Sequence, residues 1–163
     1  MHVMNETIIR TIRNQTVILF ENIRETLDYC SDELIEKSSS KWPLWKQFYH
    51  LLHSLDQWFI NPMNFTEPAI HQPHFRTSDQ GPGILSKQQL LTYYHDIRRR
   101  IENYLDTLTV EILEEPVGKG EFNRLDLILI QFRHVMHHIG YLHHDIKSET
   151  GISPEYIGIK AQW

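Results

Sequence analysis

Histidine is the residue type here whose number and spacing can do chemistry. The chain has eleven in 163 residues, and His134, His137, His138, His143 and His144 fall within eleven consecutive positions. His134 and His138 are four apart, so on a helix they stack on one face and can offer imidazole nitrogens to a single cation. Two ligands rarely suffice, because catalytic zinc sites usually combine three protein ligands with an open position for water. A second histidine-bearing segment, Tyr49-His50-Leu51-Leu52-His53-Ser54-Leu55-Asp56, can supply the third. Periodicity does not choose between His50 and His53, which lie off its apolar stripe on opposite sides. Asp56 can serve as an acceptor that holds an imidazole tautomer, although a surface aspartate is the simpler reading. His143 and His144 have no comparable partner and are expected at the surface.

These residues need elements to position them. The spacing predicts a first helix from about Asn5 to about Ile35, carried by Ile8, Ile12, Leu19, Ile23 and Leu27. Ser38-Ser39-Ser40 interrupts it. A second helix has Pro43 in its first turn and runs to about Ile60, with Leu44, Phe48, Leu51, Leu52, Leu55, Trp58 and Phe59 on one face. Asn61 to Leu85 contains Pro62, Pro68, Pro73, Gly81, Pro82 and Gly83 and reads as a long crossover, well beyond the usual roughly 2 to 8 residues between bundle helices. Ser86-Lys87-Gln88-Gln89 is a capping box that opens a third helix, Lys87 to about Leu108. Val110 to Phe122, with Pro116, Gly118 and Gly120, reads as loop or hairpin, and a fourth helix covers about Asn123 to Lys147. The tail from Gly151 to Trp163 shows no clear period. The expected fold is all-α: one domain over residues 1–163, an antiparallel four-helix bundle with a long crossover between helices two and three.

Placed at 100° per residue from His134, the fourth helix puts Ile128, Phe132, Val135, Met136, Ile139, Leu142 and Ile146 on an arc from about 80° to 200°, the core face. Arg133, His137 and His144 face solvent. His134, His138 and Gln131 fall on the flank between the two, where a ligand is shielded yet open to substrate.

Composition removes other function classes. A formal charge of −5 argues against a sequence-independent nucleic-acid binder. The one basic cluster, Arg98-Arg99-Arg100, reads as the solvated side of a helix. The longest aliphatic run, Leu127 to Ile130, is far below the roughly 20 residues a membrane span needs. The start, Met1 to Glu6, lacks a signal core, and the single cysteine, Cys30, precludes an internal disulfide; a cytoplasmic location is expected. Cys30 reads as a small buried apolar residue. There is no Glu-x-x-His, His-Glu-x-x-His, phosphate-binding glycine loop or Gly-x-Ser-x-Gly elbow.

Arg133-His134-Val135-Met136-His137-His138-Ile139-Gly140-Tyr141-Leu142 resembles the fourth-helix signature of the DinB-like (DinB/YfiT) superfamily, His-x-x-x-His-x-Gly-x-Leu. The Tyr49–Asp56 segment resembles that superfamily's second-helix segment, and the capped third helix and the Trp163 end are similar too. The resemblance implies a divalent metal, zinc or nickel, held by His50, His134 and His138. It further implies thiol-dependent transfer or hydrolysis on a small-molecule substrate, with a low-molecular-weight thiol as a cofactor, and pairing into a homodimer. A non-catalytic metal- or ligand-binding stress-response bundle is the alternative. Neither nucleic acid nor membrane is an expected partner. Asp56 and Gln131 are weak candidates for a general base, and His71 and His74 in the crossover are expected to face solvent.

Overall fold

The computed structural model describes residues 2–37, 42–76 and 83–158, without the side chains of residues 2–5, 74 and 76. Ser38-Ser39-Ser40, Gly81, Pro82, Trp163 and the side chain of His74 lie outside the described residues. Four long helices form the body: α1 (His2–Tyr29), α3 (Leu44–Trp58), α4 (Lys87–Asp106) and α6 (Arg124–Thr150). Two short ones, α2 (Asp32–Ile35) and α5 (Val110–Glu114), sit in the connections. The fold is the expected all-α bundle with a long crossover between its second and third long helices.

Each boundary has a local cause. The first predicted helix divides because Ser31 accepts a hydrogen bond from the Leu34 amide and starts α2 as a separate turn. Lys87 Nζ donates to the carbonyls of Asp28 and Cys30, placing a cation on the unpaired end of α1. Pro43 is the cap of α3 rather than a first-turn residue. The Ser86–Gln89 capping box forms as expected, and a second one, Asn123 with Asp126, starts α6. Between α5 and α6, Pro116–Val117 (β1) and Phe122–Asn123 (β2) pair as an antiparallel hairpin. Its turn uses Gly118 at φ +60° and Gly120 at φ +86°. Gly151 at φ +80° ends α6, its amide donating to Lys147 O. Asn22 on α1 pairs through its side chain with both the N–H and the C=O of Ile157, which fastens the tail.

Ile12, Leu19, Phe20, Ile23 and Leu27 of α1 meet Phe48, Leu51, Leu52 and Leu55 of α3, Tyr94, Ile97 and Ile101 of α4 and Ile128, Val135, Ile139, Leu142 and Ile146 of α6 in one contiguous core. The most extensive helix pairing is α3 with α6, the helices that carry His50, His134 and His138. The crossover is not a free loop. Phe75 is fully buried against Trp45 and Tyr49, ring centroids 5.0 Å from each. Burying that side chain is worth about 1.5–3 kcal/mol, enough to anchor the strap on α3.

Candidate metal centre

His50 lies on the face of α3 that meets α6, and His134 and His138 occupy consecutive turns of α6. Their rings converge with centroid separations of 5.3 Å (His50–His134), 4.6 Å (His50–His138) and 4.5 Å (His134–His138). One nitrogen from each lies within 4.8 Å of the other two, a spacing at which a single ion can be held. All three side chains are half-buried, as the flank position on the wheel requires. His137 and His144 are exposed.

The local electrostatics keep these nitrogens available. Burial, then the neighbouring His50, His134 and His137, depresses His138 from the usual histidine value to about 3. Burial, with His137 second, also lowers His134. Both rings are therefore neutral at physiological pH and keep a lone pair for coordination. His134 Nε2 is buried and has no hydrogen-bond partner. A buried imidazole nitrogen without a partner costs about 1–3 kcal/mol unless something coordinates it, so the three residues fit a metal ion.

Two interhelical hydrogen bonds bracket the cluster. Gln47, one turn before His50, donates at 2.7 Å to the buried Asp145 of α6. Ser54, one turn after His50, donates at 3.0 Å to the buried Gln131, one turn before His134. They fix the separation and register of α3 and α6 where the imidazoles meet. The rings of Trp42 and His50 pack edge-to-face with centroids 5.6 Å apart. A cavity of about 210 Å³ opens beside His50, lined also by Tyr49, His53, Ser54, Gln57, Trp58 and Phe75. A larger groove of about 510 Å³ lies between α1 and α5, but no histidine or cysteine lines it.

Several residues stand elsewhere than expected. Asp56 is not a surface aspartate and does not orient an imidazole. Its side chain is 2% exposed, accepts from Tyr93 Oη at 2.8 Å and forms an ion pair with Arg100. Arg100 is thus a structural partner, whereas Arg98 and Arg99 do pair along the outer face of α4 with Glu102 and Asp96. His143 is half-buried, its Nε2 3.0 Å from the Thr26 hydroxyl, because α1 covers that flank of α6. His71 is not solvent-facing: it bonds to the Tyr49 hydroxyl and, with Glu67, folds over His53. Sequence reasoning missed Glu67 altogether, since the path of an irregular crossover leaves no periodic signal. Cys30 is buried as expected, and burial raises its thiol to about 12.

A model of the DinB superfamily matches residues 11–142. Neither the curated proteins nor the solved structures yield a match. None of the described helices is long and apolar enough to cross a membrane.

Proposed function

The chain belongs to the DinB superfamily, and we propose that it is a divalent-metal-dependent enzyme acting on a small molecule. The ion, zinc or nickel, would be held by His50, His134 and His138, and the reaction would be thiol-dependent group transfer or hydrolysis. The observation that carries this reading is the buried, partnerless Nε2 of His134 within a set of three converging imidazoles. Zinc and nickel both accept imidazole ligands, and availability decides between them.

When bound, such an ion supplies Lewis acidity toward a coordinated water or thiol without help from an added proton donor. The chain's own residues do the rest. Three neutral imidazoles leave the ion its full positive charge. The Gln47–Asp145 and Ser54–Gln131 bonds hold the two helices at fixed separation, so the ligands are placed before anything binds. Among the described residues the cluster contains three protein ligands, which favours a site with an open position over a closed structural one. The cavity beside His50 offers both aromatic walls and polar groups, Ser54 and Gln57; at about 210 Å³ it is smaller than the usual ligand pocket of roughly 300–1,000 Å³, so it suits a compact substrate.

The test is metal-dependent turnover. Zinc- and nickel-loaded protein is incubated with low-molecular-weight thiols plus electrophilic acceptors, following loss of free thiol, and in parallel with amide substrates. Turnover that disappears with a chelator and in His134→Ala supports the reading. Metal-loaded protein that turns over none of these substrates would overturn it.

A further inference from the structure

A second group of chelating side chains lies one turn along α3 from His50. His53 is 5% exposed, and its Nε2 stands 2.7 Å from Glu67 Oε2. The same carboxylate oxygen is 3.7 Å from Nδ1 of His71, whose side chain is 11% exposed. The two imidazole rings lie 5.2 Å apart. One donor atom from each falls within 4.8 Å of the other two, the bound that the three-histidine cluster also meets.

We infer that His53, Glu67 and His71 form a second binding site for a first-row divalent cation, distinct from the three-histidine set. Two imidazoles and one carboxylate are a donor set that such ions accept, with positions left open for water or ligand. The carboxylate supplies negative charge toward the cation, which the three-histidine cluster does not. One ligand comes from the rigid helix and two from the crossover, so an ion here ties the strap to α3. The carboxylate bonds His53 at 2.7 Å, and Nδ1 of His71 stands 3.7 Å from the same oxygen, so both imidazoles flank it. The site also adjoins the proposed chemistry, because the cavity that His50 borders is lined by His53 and Tyr49 as well. The Tyr49 hydroxyl bonds Nδ1 of His71 from α3, so an ion that takes this nitrogen displaces that hydroxyl.

This inference does not depend on the proposed function, and the experiment keeps the two apart. Untagged full-length protein is stripped of metal and titrated with Zn(II), reading stoichiometry by calorimetry and by elemental analysis after gel filtration. The variants are Glu67→Gln, isosteric on a partly exposed strap residue, and His134→Ala, with circular dichroism confirming helix content. Two equivalents in the wild type, falling to one in each variant, support the second site. A single equivalent lost in Glu67→Gln and kept in His134→Ala also supports it while contradicting the three-histidine site. A single equivalent kept in Glu67→Gln and lost in His134→Ala overturns the second site alone: Glu67 would then be only a hydrogen-bonded latch. No binding in any form overturns both.

Discussion

Ser54 on α3 donates its hydroxyl to Gln131 on α6 at 3.0 Å, one turn from the three imidazoles, and Gln131 is itself 3% exposed. A buried amide facing a serine across a helix interface sets the register at that level, because sliding either helix would leave a buried polar group unpaired. With Gln47–Asp145 on the other side, the histidines converge as a consequence of how α3 and α6 are fastened.

Ser54→Ala removes the donor and leaves the Gln131 carbonyl buried. We expect a loss of about 1–2 kcal/mol in denaturant unfolding and zinc affinity weakened by roughly 10-fold, the low end of what supporting groups around metal ligands contribute. Isothermal titration checks the second effect. An unchanged affinity would mean that the histidines do not rely on this contact.

Asp56→Ala should behave differently. It strands the Tyr93 hydroxyl and the Arg100 guanidinium, and Arg100 reaches toward solvent, so the cost is set at about 2–3 kcal/mol, below that of a fully buried pair. Metal content should not change, since Asp56 holds α4 rather than an imidazole. Urea unfolding beside elemental analysis separates the two roles.

The histidine periodicity was readable because α6 is regular: seven residues assigned to the core face are buried or half-buried there, and His134 and His138 sit on the flank. The capping box at Ser86 was readable for the same reason, being a local pattern of fixed spacing. Asp56, His71 and His143 were not. Their surroundings come from α4, the crossover and α1, and no spacing within one segment reports which distant element will cover a side chain. Periodicity leaves His50 and His53 equal for the same reason, and His50 is assigned only through the family resemblance. Only the packing of α3 on α6 puts His50 with His134 and His138, and only the crossover gives His53 a different set of neighbours.

His143 carries a pH prediction. Burial lowers its pKa below the usual value of 6.5, so the folded protein binds this proton less readily than the unfolded chain. Stability therefore falls as pH drops through the unfolded value near 6.5 toward the depressed folded value, and is constant above it. The half-exposed ring keeps the slope well under the roughly 1.4 kcal/mol per pH unit of one whole proton. Unfolding of metal-free protein between pH 8 and pH 5 should show a smaller drop in His143→Gln than in the wild type.

Cys30 offers a chemical probe of opening. With its thiol raised to about 12 by burial, about one molecule in 10⁴ carries a thiolate at pH 8, and the sulfur is covered by the core. A water-soluble maleimide should label the folded protein only through unfolding, and label it promptly in denaturant. Fast labelling without denaturant would show that the α1–α2 junction opens locally.

The most direct test of the central claim is zinc binding in a Glu67→Gln background, where the second cluster has lost its carboxylate. Untagged protein should bind one equivalent, and adding His134→Ala and His138→Ala, which leaves a single imidazole of the set, should abolish it while circular dichroism shows an intact bundle. Zinc bound equally with and without these two histidines, or not bound at all by the folded protein, would contradict the account.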